Sequence, residues 1–438
     1  MNAASSETSI VNSQKSRKGS PADRGKLVRF PAPAGVTSRS WWTRLGHLAP
    51  GIVTGAANVD PSLVITATVV GAAYHFSMLW IVLLCVPFLV AVFNVSGRIG
   101  YETQQGLVDL LREHYGRKWA LVCAGTVMVI NIAMIIADLM AVSDALSIIL
   151  QQNRVYFVAA TAFSIWYILI FRDYRKITHA LLWLSLPLFV YVAAAVVAAP
   201  SLREVLVRTL VPRITPTTDY IAGVVGLFGS LLTPYVLVWQ TSSRREQAVI
   251  GQHTPHEAQS RAGTVVTTVL SFSIVVAAGS VLRIAHPEDM TTVQAAEALR
   301  PAVGNMGTLL FALGIVGAGM VALPVLVASM CYSISEAMEW KAGLSEHPWE
   351  AKRFYVLISM VVFLAAAANF LPINPVKALY WSQILAGVLT VPILVFILTI
   401  SRDRRIMITT NSRAQNFWIG AAIGGLIAAG FVYAWWAI

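Results

Sequence analysis

The sequence predicts an all-α polytopic membrane protein of about eleven transmembrane helices. They are arranged as a 5+5 inverted repeat with broken first and sixth helices. Three observations predict it. The 438 residues are 57% hydrophobic and 12% charged, against roughly 25% charged for a soluble chain. Apolar segments of membrane length recur from residue 48 to the end, at ~20 residues per span. A proline interrupts the first of these segments and another interrupts the sixth.

Residues 1–44 are rich in Ser, Lys, Arg, Pro and Ala. They hold no apolar run, hence no signal-peptide h-region, and read as a disordered basic cytoplasmic tail. The transporter domain follows at 45–438. Its apolar segments lie at approximately 48–73, 77–97, 119–148, 155–171, 178–199, 219–241, 262–284, 304–338, 353–371, 376–400 and 415–437. Amphipathic pieces are expected around 241–262 and 285–303. With this threading, seven of the 32 Lys and Arg fall outside (Arg154, Arg203, Arg208, Arg213, Arg283, Arg300 and Lys377) and 25 fall inside. That bias orients the chain with its N-terminus in the cytoplasm. It also accounts for the +11 net charge, so no nucleic-acid partner is needed; the lipid bilayer is the partner implied.

The first break is at Asp60-Pro61 and the sixth-segment break at Thr233-Pro234-Tyr235, after Gly223, Gly226 and Gly229. Five spans separate them. Because five is odd, the second half crosses the membrane in the opposite sense. The repeats are then about 45–200 and 215–400, with 415–437 an extra helix. Interrupted segments at matching positions of inverted halves point to a transporter's binding site.

At Pro61 and Pro234 the chain loses a backbone donor, and the preceding residue is pushed out of helical geometry. Asp60 therefore sits at a break in an apolar span, where a carboxylate costs roughly 3 kcal/mol or more. Freed carbonyls beside it, near Ala57, would make an oxygen nest for a cation. The plainer reading is a proline kink with the aspartate paired to a neighbour. Thr233 offers both hydroxyl and carbonyl, unless it bonds its own preceding turn.

Other polar residues lie in the spans. Asn131 and Asp138 are two turns apart on one helix face and are read as pathway or proton-relay residues, with a structural pairing of Asp138 as the alternative. Asp144 and Glu336 read as hydrated boundary residues. Tyr235 and Gln240 continue a polar-aromatic series after the second break, and Gln383 is a ligand or an interhelical hydrogen-bonding group. Cys85, Cys123 and Cys331 lie in apolar runs and read as buried hydrophobes. No HxxH or HExxH pair occurs among the eight histidines, and no GxxxxGK[ST] loop, so neither a closed transition-metal site nor an ATP-driven pump is indicated. No nucleophile–base constellation marks an enzyme.

Pro50-Gly51 followed by Asp60-Pro61 resembles the first broken helix of the Nramp divalent-metal transporters. Asp60-Pro61-Ser62 with Thr66, together with Thr233-Pro234-Tyr235 and Trp239-Gln240, more closely resembles a divergent Nramp-related bacterial branch. The stretches from Arg98 to Leu107 and Ala137-Asp138-Leu139 match as well, and the resemblance covers about residues 45–400. It implies a LeuT-type fold and transport of a divalent metal ion, a substrate and not a cofactor. It also implies a location in a bacterial inner (plasma) membrane. Asp60 is the ligand carried over. The family's first-helix motif is D-P-G-N, and Ser62 and Leu63 stand at its third and fourth positions. The sixth-helix motif is M-P-H, where Thr233 and Tyr235 stand instead. A third-helix acid is replaced by Asn131. Within a substrate class of Mn, Fe and Mg ions, loss of the thioether weakens the case for iron or manganese selectivity and favours a harder cation such as Mg²⁺. Loss of the histidine and of one carboxylate leaves proton coupling open. The alternative substrate is a small organic solute such as an amino acid, bound at half-helix N-termini. A non-transporting sensor or scaffold is disfavoured, because only the tail and short loops lie outside the membrane. The sequence carries no signal for oligomeric state.

Overall fold

The computed structural model describes residues 41–437, apart from 173, 199, 216, 250–255, 283–306 and 372–373. Most of the basic tail and the amphipathic piece expected at 285–303 thus lie outside the described residues. Among those described, every regular element is helical.

The first span is α1 (Trp41–Ala57) and α2 (Pro61–Tyr74), bent by 57° at the break. Pro61 is the first residue of α2. Asp60, in extended geometry, caps it by accepting from the Leu63 N–H. There follow α3 (Leu79–Thr103), the short α4 (Leu107–Tyr115), the 34-residue α5 (Arg117–Leu150) and α6 (Arg154–Phe171). The fifth span is α7 (Tyr174–Leu184) and α8 (Val190–Val197), joined by a 3-10 turn at Leu186–Phe189 that contains Pro187. An amphipathic helix, α9 (Leu202–Leu210), links the two halves. It was not expected from the sequence.

The second half opens with α10 (Thr218–Leu231) and α11 (Pro234–Val249). Thr218–Arg244 continues as one 27-residue apolar span across this interruption. Then come α12 (His256–Val281), α13 (Gly307–Ala337), α14 (Lys352–Ala368), α15 (Pro375–Arg402) and α16 (Arg413–Ala437). Among the described residues nine helices are long and apolar enough to span a membrane, and the bent first pair makes ten. The one expected span outside this count is the ninth, α14. Its 17 residues sit at the short end of the range for crossing.

Burial grades from centre to rim. In the Thr218–Arg244 span 94% of the apolar window is buried, and in α16 only 17%. The broken sixth span is therefore central and the extra helix peripheral. Large apolar side chains cover the outside, among them Phe163 and Phe171 on α6, Phe363 and Leu364 on α14, and Phe431 and Trp435 on α16. A continuous apolar belt of this kind needs lipid, not water, as its solvent.

Lipid supplies no hydrophobic drive between helices, so close backbone approach does much of the packing. α12 lies along α1, α2 and α3. A Cβ on Gly55 would come within 2.4 Å of the Gly263 carbonyl oxygen, so α1 and α12 meet backbone to backbone there. α5 instead packs on α13 and α15. Gly55→Val is expected to lower the thermal midpoint in detergent. A side chain forced into this contact costs at least the ~1–3 kcal/mol typical of overpacking, and an unchanged midpoint would contradict it.

Candidate cation site at the paired helix breaks

The two breaks meet. Asn58, Val59 and Asp60 separate α1 from α2, and Leu232 and Thr233 separate α10 from α11. Asn58 donates through its amide to the Leu231 carbonyl at 3.0 Å, and the Thr233 hydroxyl donates to the Asn58 side-chain oxygen. The Tyr235 hydroxyl lies against the Ala57 carbonyl and 3.1 Å from Asp60 Oδ2. Backbone groups released by the two prolines are thus satisfied largely by side chains of the opposite break, as a membrane interior demands.

A second carboxylate stands behind the first. Asp138, midway along α5, accepts from the Ser62 hydroxyl at 2.6 Å, and its other oxygen has no protein partner. Asp60, Ser62, Asp138, Asn58, Thr233 and Tyr235 are all fully buried. Neither carboxylate has a Lys, Arg or His within ion-pair distance among the described residues. Two buried acids without a protein cation call for a proton or a bound cation at this point. The side chains and carbonyls that hydrogen-bond at the two breaks, among the described residues, offer carboxylate, hydroxyl, carbonyl and amide oxygens. No group of three or more His, Cys, Asp or Glu able to hold a metal occurs among the described residues. The donor set is therefore poor in charge and hard in character.

The remaining expected residues distribute as follows. Thr233 does not bond its own preceding turn but reaches Asn58. Asp138 is joined to the first break through Ser62, by its hydroxyl and its backbone N–H, and not to an arginine among the described residues. Asn131 donates to the Leu326 carbonyl and the Ser329 hydroxyl of α13, so it binds helix to helix. Gln383 is fully buried on α15, and neither its amide oxygen nor its nitrogen has a protein partner. Its helix touches α10 so closely that a Cβ on Gly229 would lie 2.6 Å from the Gln383 carbonyl. Gln240 lies about two turns beyond Thr233. It lines a polar cavity of about 10 Å³ with Gly51, Thr54, Ser243, Arg244, Gln247, Gln259 and Ser260, room for about one water. Toward the other end of the broken spans, Tyr74 packs edge-on against Tyr220 at 5.2 Å and Trp80 reaches the Tyr220 hydroxyl.

Asp144 pairs with Arg154 at 3.8 Å and is half-exposed, as a boundary residue should be. Glu336 departs from that expectation. It is buried, and its carboxylate accepts from the Ser242 hydroxyl and the Val108 N–H. Its apparent place at the end of a span hid the fact that α4 folds back over it. Sequence reasoning also gave no role to Asn58. The available signal was an amide two residues before the aspartate, within the same break.

Paired breaks in inverted halves define the class, a helical membrane protein of the LeuT architecture. The family description "Natural resistance-associated macrophage protein-like" (Nramp) matches residues 51–436, and the chain belongs to that family. It is 21% identical over 416 residues to a Granulibacter bethesdensis protein named divalent metal cation transporter MntH, covering 92% of this chain and 91% of that one. The structure of an Eremococcus coleocola manganese transporter superposes with a TM-score of 0.71 at 14% identity, covering 94% and 90% of the two chains. MHP1, a nucleobase-cation-symport-1 family transporter, superposes at 0.56 with 11% identity, covering 89% and 92%. The last two establish the fold alone.

The Asn58–Thr233 contact can be checked by a double-mutant cycle of Asn58→Ala and Thr233→Val, read as unfolding stability. Side chains in one buried network couple by ~0.5–3 kcal/mol, and that is the expected range. Strict additivity would remove the contact from the account.

Proposed function

We propose that the chain is a secondary carrier of divalent metal cations, with the paired breaks as its binding centre. The observation that carries this reading is the pair of buried carboxylates, Asp60 and Asp138, with no cationic side chain beside them and oxygen donors around. Family membership and the naming of relatives such as the Granulibacter protein support the same class. Asp60 binds the ion, helped by the Ala57 and Thr233 carbonyls and the Tyr235 hydroxyl. Gln383, buried without a partner, supplies a further amide oxygen.

An all-oxygen set selects hard cations, and Mg²⁺ and Mn²⁺ suit it better than softer metals. With few charged ligands, the ion is expected to keep some of its waters. Transport proceeds by alternating access, a bundle containing the broken helices rocking against the rest. Asp138, hydrogen-bonded to Ser62 beside the site, is the group best placed to exchange a proton. The protein lies in a bacterial inner membrane with its N-terminus in the cytoplasm, following the positive-inside bias of its loops.

Asp60→Ala is expected to abolish Mg²⁺ and Mn²⁺ uptake into proteoliposomes while remaining monodisperse. Full uptake by that variant would sink the assignment. Tyr235→Phe, which removes one hydroxyl from Asp60 and Ala57, should weaken cation binding about three- to tenfold, the worth of one hydrogen bond. Titration of the purified variant reads this directly, and unchanged affinity would take Tyr235 out of the site. A pH gradient across the same vesicles tests coupling: stimulation that Asp138→Asn removes would assign the proton path.

A further inference from the structure

The second half of the broken sixth span, α11, has two working faces. Gln240, Ser243, Arg244 and Gln247 follow helical spacing and line the narrow polar neck against α1 and α12. Ser242 and Glu246 fall on a different face, which meets α13. There two buried carboxylates cross between the helices. Glu336 of α13 accepts from the Ser242 hydroxyl of α11 at 2.8 Å. Glu246 of α11 accepts from the Tyr332 hydroxyl of α13 at 2.7 Å, and from the Leu344 and Ser345 N–H groups just beyond α13 at 2.9 and 3.1 Å.

The short helix α4 closes over this crossing. Its N-cap is Gly106, which has no side chain to cap with. The exposed donors of its first turn, which every helix must satisfy, are met by other helices. Leu107 N–H donates to the Thr241 hydroxyl and Val108 N–H to Glu336. A Cβ on Gly106 would lie 1.9 Å from the Glu336 carboxylate, so only glycine admits the acid there. Arg112 of α4 donates to the Glu336 backbone carbonyl. Both carboxyl groups are buried, Glu336 6% and Glu246 3% exposed, so their oxygens keep these hydrogen-bond partners only while the helices stay together.

We propose that Glu336 and Glu246 form a clasp that holds α11 against α13 and so keeps the polar neck narrow. They act as positioning residues: they touch no cation, and the clasp must part for an ion to pass between the binding centre and the α4 face. This rests on the alternating-access reading above; within it α11, hinged at the Leu232–Thr233 break, swings away from α13 and from the wall of the neck that α1 and α12 form. Because the neck-lining and clasped residues share one short helix, loosening the second widens the first.

The test uses the full chain with a reporter cysteine, Thr54→Cys, on the α1 wall of the neck. Cys85, Cys123 and Cys331 are buried and give little background. A charged maleimide applied to the purified protein reads opening as a labelling rate. Ser242→Ala and Glu246→Gln, each added to the reporter, are expected to label about three- to tenfold faster, the population shift for losing one buried hydrogen bond. Gly106→Ala should act in the same direction by displacing the Glu336 carboxylate. Unchanged labelling in monodisperse Ser242→Ala and Glu246→Gln overturns the clasp. If Glu246→Gln does not fold, Ser242→Ala, which removes a single hydroxyl, decides alone. Thermal shift of the unsubstituted protein with Mg²⁺ and Mn²⁺ is measured in parallel. No response there overturns the carrier reading on which the clasp's role depends, whereas a response with unaltered labelling overturns the clasp only.

Discussion

A carboxylate buried at an unwound point of a membrane helix constrains everything around it. Asp60 cannot be left bare in a low-dielectric interior, and the peptide groups freed by Pro61 cannot be left unpaired. One oxygen of Asp60 is used at once, accepting from the Leu63 N–H to start α2. The other faces Tyr235 from the opposite break. Asn58 binds the same opposite break through both ends of its amide. The two interruptions thus complete each other. Neither half of the repeat could bury its own break alone.

Packing around this centre is uneven in a way that suits movement. α12 meets α1 through glycine backbones and packs along α2 and α3, so the broken first span has one close-fitting neighbour along its length. α5 packs on α13 and on α15, and α15 packs as closely on α10. Asp138 on α5 is joined to α2 through Ser62, and Gln383 on α15 lies buried where α15 meets α10. Hydrogen bonds between side chains can exchange for water when a path opens, whereas interlocked apolar surfaces resist separation. The polar crossing of α11 and α13 by Glu336 and Glu246 belongs to the first kind.

Much of the fold is legible in the chain. Spans follow from apolar runs, and both breaks follow from prolines inside them. Asp60, Pro61, Thr233, Pro234 and Tyr235 all lie where these signals place them. What was not legible shares a cause. Asn131 and Asp138 have the same spacing signature on one helix, yet one bonds α13 and the other bonds Ser62 of α2. Glu336 reads as a hydrated boundary residue until α4 is seen covering it. α9 escapes because nine residues with mixed polarity carry no membrane-length signal.

By itself, then, the sequence determined that this is a multispanning helical protein with two interrupted helices in inverted halves and a carboxylate at the first interruption. These are local properties, set by hydropathy over ~20 residues and by the backbone chemistry of proline. Tertiary structure alone decided which polar groups face one another across the breaks. Such partners are far apart in the chain: Asn58 and Thr233 are 175 residues apart, and Ser62 and Asp138 are 76 apart. A polar side chain within an apolar run announces that it needs a partner, but only the packing of whole helices supplies one.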